Sequence, residues 1–175
     1  LDQENPMATS LYDFSIPLFV SSLTNLSNQI DKAIAYAEQK KFDGKQLAES
    51  RLIADMLPFK AQVQIASDNA KGAAARLAGI EPPKYEDTET TLPELKARIA
   101  KTLDFVRSVK PEQFAGAETR EIVLKFPNLT LKFNGQDYVT KFAIPNFYFH
   151  ATTAFAILRS NGVEIGKTDF LGAVQ

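Results

Sequence analysis

The sequence predicts an all-α protein: a four-helix bundle with a crossover connection and a small β-hairpin before the last helix. Three observations carry this. Long stretches place apolar residues at alternating gaps of 3 and 4, the spacing of one helix face. One later stretch switches to a period of two. A Pro-rich, acidic connector of 13 residues (79–91) separates two of the helical stretches, long enough for a crossover.

The first helix is expected from Ser10 to about Lys41. Its stripe is Ile16, Phe19, Leu23, Leu26, Ile30, Ala33 and Ala37. Ser10 is placed to cap it, with Asp13 in the first turn. Pro17 should kink this helix or mark its true first turn. Phe42-Asp43-Gly44 ends it, and Ala48–Leu52 reads as a short helical turn. The second long helix runs from about Pro58 to Leu77 on the stripe Phe59, Val63, Ala66, Ala70, Ala73 and Leu77, with Gly79 as its stop. Its alanines favour helix and close helix approach.

A third helix spans Leu92 to Val109, with Thr91 as N-cap, Pro93 and Glu94 in the first turn and Pro111 after its end. The period then changes. Glu121–Phe126 and Leu129–Phe133 flank Pro127-Asn128 and read as a β-hairpin, with Ile122, Leu124 and Phe126 on one face. The last helix covers roughly Gln136 to Ser160, interrupted near Pro145, where Asn146 can cap a restarted helix. Asn161-Gly162 closes it.

Composition excludes much chemistry. The chain of 175 residues has no Cys, no Trp and one His. Thiolate nucleophiles, disulfides, zinc ribbons and iron–sulfur clusters all require Cys. Lys and Arg total 20 against 21 Asp and Glu, which argues against a nucleic-acid partner, because that partner needs a basic face. No stretch approaches a membrane span. One domain over 7–175 fits the length, with residues 1–6 (LDQENP) expected to be an expression or processing remnant before Met7. The composition is compatible with a cytoplasmic protein.

The strings GQDYVTKFAIPNFYFHATTAFAILRSNG (135–162), QVQIASDNAKGAAARLAG (62–79) and LYDFSIPLFVSSLTNL (11–26) resemble an uncharacterised bacterial family of unknown function. That family is grouped with the DinB/YfiT-like metalloenzyme superfamily, and the similarity runs from Leu11 to Gly172. The resemblance implies a crossed four-helix bundle. It also implies a divalent metal such as zinc or nickel, held by three His: one on the second helix and an H-x-x-x-H pair on the last. Relatives include thiol-dependent transferases and hydrolases. His150 matches the first His of the pair, and Ala154 stands where the second would be. On the second helix the matching position is Gln62 by helical phase, or Gln64 by the string before Ile65. At most one of three imidazoles is therefore present, and His150 is the metal ligand if there is one.

His150 should point inward, since Ala154 and Ile157 lie one and two turns further along. One reading makes it a general acid–base or residual ligand. The other makes it a buried His bonded to a helix-two Gln or to Asp55. Asp55, Gln62 and Asn69 are spaced by seven and would share a flank if the helix reached back that far. They line a cavity or form a helix edge. Asp68 and Lys71 are expected as a solvated outer-face pair, and Glu86, Asp87 and Glu89 as a mobile acidic loop. Phe142, Phe147, Tyr148, Phe149 and Phe155 form a pocket wall or core.

Three functions remain open. The first is a small-molecule binder using Asp55, Gln62, Gln64, Asn146 and Tyr148 near His150 as the candidate catalytic residue, with the three-His site lost. The second is a metal-dependent transferase or hydrolase with altered ligands. The third is a non-catalytic homodimeric interaction protein.

Overall fold

The computed structural model describes residues 10–173; the remnant expected at 1–6 lies outside them. The elements are α1 (Leu11–Lys40), α2 (Lys45–Glu49), α3 (Phe59–Ala78), α4 (Leu92–Ser108), a 3-10 turn (Pro111–Phe114), β1 (Glu121–Phe126), β2 (Leu129–Asn134), α5 (Gly135–Tyr138), a π-helical turn (Val139–Ala143), α6 (Ile144–Ser160) and α7 (Lys167–Leu171).

The expected caps form. Ser10 Oγ accepts from Asp13 N at 3.2 Å, and Thr91 and Glu94 make a reciprocal capping box. Gly79 ends α3 in the left-handed region at φ 71°, its N–H reaching Ala75 and Arg76. Pro17 neither begins nor breaks α1; it sits in the second turn of a continuous helix. The carbonyl it leaves without a donor belongs to exposed Asp13, where water can serve it. The short helix expected at 48–52 forms earlier, over Lys45–Glu49.

α1 packs on α4 and α6, and α3 packs on the same two. Specific pairs give the directions. Gln62 meets His150 while Arg76 meets Tyr138, so α3 runs against α6. Asp31 meets Lys96 while Ala37 lies near Leu92, so α1 runs against α4. Phe19 meets Phe147 while Tyr36 covers Gly162, so α1 and α6 are parallel. The course is thus up, down, down, up, and the connector at 79–91 runs the length of the bundle, as a crossover must. The stripes read from the sequence form one core, with Phe19, Leu23, Ile30, Phe59, Val63, Ile99, Phe147 and Ile157 fully buried.

β1 and β2 pair antiparallel with Ile122 opposite Phe133, Leu124 opposite Leu131 and Phe126 opposite Leu129. Ile122 and Leu124 are buried, while Phe126 and Leu129 project at the tip. Before Pro145 the helix does not restart from a cap. The chain widens into the π turn and continues directly into α6. A π turn accommodates a residue that lacks an N–H and crowds the carbonyl behind it. Asn146 accordingly lies inside α6 and caps nothing, a correction to the sequence reading.

Candidate functional site

His150, on α6, is half-buried against the first turn of α3. Its Nδ1 lies 2.7 Å from Gln62 Oε1, and Gln62 Nε2 donates to Leu57 O at 3.0 Å. These two contacts settle the imidazole tautomer. A carbonyl only accepts, so Leu57 holds the amide NH2 of Gln62, and Oε1 must face the ring. Nδ1 therefore carries the proton and donates, leaving the lone pair on Nε2. Among the described residues Nε2 has no hydrogen-bond partner. The buried side-chain atoms without a partner among the described residues are Gln29 Oε1, Ser67 Oγ and Arg98 Nε. Burial pushes the His150 pKa below its ordinary 6.5, because a charged ring loses hydration there. The result is a neutral, oriented imidazole presenting one acceptor.

The two candidate glutamines of α3 point different ways. Gln62 faces His150, while Gln64 donates to Glu89 Oε2 at 2.9 Å on another flank. Asp55 does not join them. α3 begins at Phe59, and Asp55 sits exposed on the preceding turn, because Ser50 O accepts from Phe59 N at 2.8 Å and holds the chain out of helix there. Tyr148 faces the opposite way, over a groove of about 280 Å³ with Leu18, Ser22, Asn25 and Phe170. Of the aromatic residues of α6, Phe147, Tyr148 and Phe155 are linked, Phe147 to Tyr148 directly and Tyr148 to Phe155 through Phe170, while Phe149 stands apart, perpendicular to the His150 ring at 5.2 Å and largely exposed.

A second polar centre was not foreseen. Arg98 of α4 has a side chain only 1% exposed and pairs with Asp68 at 2.8 Å, Asp87 at 2.9 Å and Glu89 at 3.1 Å. It also donates to Glu86 O at 3.2 Å. The acidic loop is thus an ordered strap. Burial would raise the Glu89 carboxyl, but hydrogen bonds from Gln64 and Arg98 outweigh it and hold the carboxyl below its ordinary 4.5. Lys71 pairs with Asp68 at 2.9 Å as expected. It is buried rather than solvated, because Tyr85 of the strap covers its ammonium at 4.6 Å.

The donors around His150 do not match a three-imidazole site. Both polar atoms of the Gln62 amide are engaged. Ala154 is a fully buried methyl in the core. Among the described residues no group of three or more His, Asp or Glu is close enough to share an ion.

Fold and site together define a class: a crossed four-helix bundle with one oriented imidazole on its last helix. The chain belongs to the family described as domain of unknown function (DUF1993), whose model matches residues 11–171. Among solved structures it is similar to a DinB family member protein from Shewanella denitrificans, at 46% identity over 94% of this chain and 93% of that one, with a TM-score of 0.85. Comparison with curated proteins gives no match. The family and the fold agree with the resemblance read from Leu11 to Gly172.

Proposed function

We propose that the protein binds a small molecule at His150 without the three-His metal of DinB-like relatives. The observation that supports this is the relay Leu57 O–Gln62–His150, which orients the ring and leaves Nε2 free. In metal sites of this kind an imidazole is usually oriented by a carboxylate or carbonyl so that its other nitrogen can bind an ion. Of the two α3 positions where the superfamily resemblance could put a ligand, both hold Gln, and the third position, Ala154, is a methyl. One imidazole alone falls short of the three protein ligands of a catalytic zinc site. What remains is a hydrogen-bond acceptor, able to take a proton from a bound molecule. Asp55, exposed before α3, and Tyr148, over the groove on the other side of α6, contribute nothing to this acceptor.

The test combines metal content with His150 spectroscopy. Protein purified from zinc-supplemented medium should carry no stoichiometric zinc. Its single imidazole should show a protonated Nδ1 and an unprotonated Nε2 by nitrogen-15 NMR. A fragment library should contain compounds that move the His150 signals and lose their binding in His150→Ala. Stoichiometric zinc that disappears in His150→Ala would overturn the proposal in favour of a metal-dependent transferase or hydrolase.

A further inference from the structure

Arg76 lies about 21 Å along α3 from Gln62, at 1.5 Å per residue, and its setting is unusual. One turn before it, Gly72 stands in the interior of an alanine-rich helix, where Gly is disfavoured relative to Ala. A Cβ at Gly72 would collide with Arg76 Nη1 and stand 3.4 Å from Arg76 Cζ. The guanidinium is therefore folded back onto the space that the missing side chain leaves. Its Nη1 donates to Tyr138 Oη at 3.2 Å, and Tyr138 is buried. Nε and Nη2, the side-on edge of the guanidinium, have no acceptor among the described residues, and no carboxylate pairs with this arginine there. Arg98, by contrast, holds three carboxylates. A partly buried guanidinium whose partner is a neutral phenol loses hydration without the compensation of an ion pair.

Arg76 lines a cavity of about 520 Å³ between the end of α3, the first residues of the connector and β1. Two further cations line it, Arg120 and Lys125, and two carboxylates, Glu81 and Glu121. Arg120 is committed to backbone, donating to Leu77 O and, at 3.1 Å, to Ala115 O. There it answers the negative end of the α3 dipole. Glu121 is held by Lys132 of the neighbouring strand at 3.7 Å. Arg76 and Lys125 then stand against Glu81, and none of these is in an ion pair among the described residues. The balance is one positive charge. Apolar surface belongs to the same cavity: Ile80 and Val123, both exposed, and Pro82. Val123 shares the outer face of β1 with Lys125, since residues two apart on a strand point the same way.

We infer that this cavity binds a small organic monocarboxylate. The carboxylate takes both hydrogens of the Nε–Nη2 edge of Arg76, the bidentate arrangement that a guanidinium favours, and Lys125 adds its charge. The hydrocarbon part lies on Ile80, Pro82 and Val123, as apolar walls with a few placed polar groups orient small molecules. One negative charge matches the excess. The dianion of a phosphate monoester exceeds it and is opposed by Glu81 and by the carbonyl end of α3. Gly72 is accounted for as well, because the three atoms nearest to a Cβ there all belong to Arg76. This site is separate from His150, and neither depends on the other.

The probe is 1-naphthoate, compared with 1-naphthalenemethanol, which has no charge, and 1-naphthyl phosphate, which carries two. Binding is read by calorimetry and from the Arg76 Nε–H signal in NMR. Naphthoate should bind with a submillimolar Kd and move that signal, and each comparison compound should bind at least about tenfold more weakly, roughly 1.4 kcal/mol. Gly72→Ala should lower naphthoate affinity by a similar factor while the melting temperature stays equal or rises, because Ala suits a helix and only the tip of a flexible side chain has to move. An arginine that merely supports the fold would not separate affinity from stability in this way. Lys125→Gln, on the exposed face of β1, should weaken binding about threefold with the fold intact. No binding of naphthoate, equal binding of the alcohol, tighter binding of the phosphate, or full affinity in Gly72→Ala would each overturn the assignment. If Gly72→Ala proves unstable, Lys125→Gln decides, and full affinity there overturns it too.

Discussion

Gln62 and His150, 88 residues apart in the chain, form a fixed donor–acceptor pair at 2.7 Å in which the glutamine accepts and the imidazole donates. Gln62 is 1% exposed, so neither of its amide atoms has a ready substitute in water. The pair therefore links the start of α3, the loop before it and the middle of α6.

Replacing Gln62 tests that link. Gln62→Leu leaves the Leu57 carbonyl and the His150 Nδ1–H without partners and should destabilise the protein by about 1–3 kcal/mol, measured from denaturant midpoints. Gln62→Glu behaves differently: its negative charge beside the ring should raise the His150 pKa above the native value in an NMR titration. An unchanged His150 pKa in that variant would show that the two side chains do not touch.

His150 also sets a pH dependence. Burial holds its folded pKa below the unfolded 6.5. Between those two values the unfolded chain binds more protons than the folded one, so stability rises with pH. The contribution is complete above 6.5, declines as pH falls below it, and levels off once the folded ring is itself protonated. Unfolding curves from pH 8 to pH 5 should show this slope in the native protein and a flatter one in His150→Gln.

What the sequence disclosed follows the range of the forces involved. The stripes of α1, α3 and α4, the Thr91–Glu94 box and the Gly79 stop depend on neighbours within a few residues, and all of them form. Gln62 and Gln64 stayed open, because helical phase favoured one and the local string before Ile65 the other; the contact with His150 falls to Gln62. Tyr148 was misplaced although the signal was present: residues two apart on a helix do not share a face, so Tyr148 and His150 had to diverge. Other features depend on distant chain. The strap over α3 decides that Lys71 is buried, and the Ser50–Phe59 bond decides that Asp55 lies outside α3. Arg98 left one clue, a cation next to the apolar stripe of Leu95, Ile99 and Thr102, preceded by an acidic connector. Only the crossover course of that connector brings the two together.

The strap should depend on Arg98. Arg98→Met removes a guanidinium shared by Asp68, Asp87 and Glu89. Breaking a buried ion pair on one side costs about 3–5 kcal/mol. The lower end is expected here, because Asp68 and Asp87 face water and rehydrate. Trypsin should then cut at Lys84, in the released strap, sooner than in the native protein. The Glu89 carboxyl lies below its unfolded value, so its share of this stability is present above pH 4.5 and is lost as pH falls through its folded pKa. If Arg98→Met leaves both the denaturant midpoint and the trypsin pattern unchanged, the strap does not depend on this cluster.

Gly135, where β2 hands over to α5, has no room for a side chain. A Cβ there would stand 1.8 Å from Ala117 O and 2.8 Å from its carbonyl carbon. Both are backbone atoms of a fully buried residue, so rotamer change offers no escape. The turn holding Ala117 is itself bonded, with Ala117 N donating to Phe114 O at 2.9 Å and Gln136 N to Glu118 O at 3.1 Å. Gly135→Ala must therefore push the hairpin away from the bundle, at about 3 kcal/mol, the upper end for overpacking. Gly166→Ala is the matched control. An added Cβ there meets nothing within 4 Å, its φ is −137°, and its effect should stay within about 0.5 kcal/mol. Equal melting temperatures for the two variants would mean that the hairpin is not clamped to the bundle at this point.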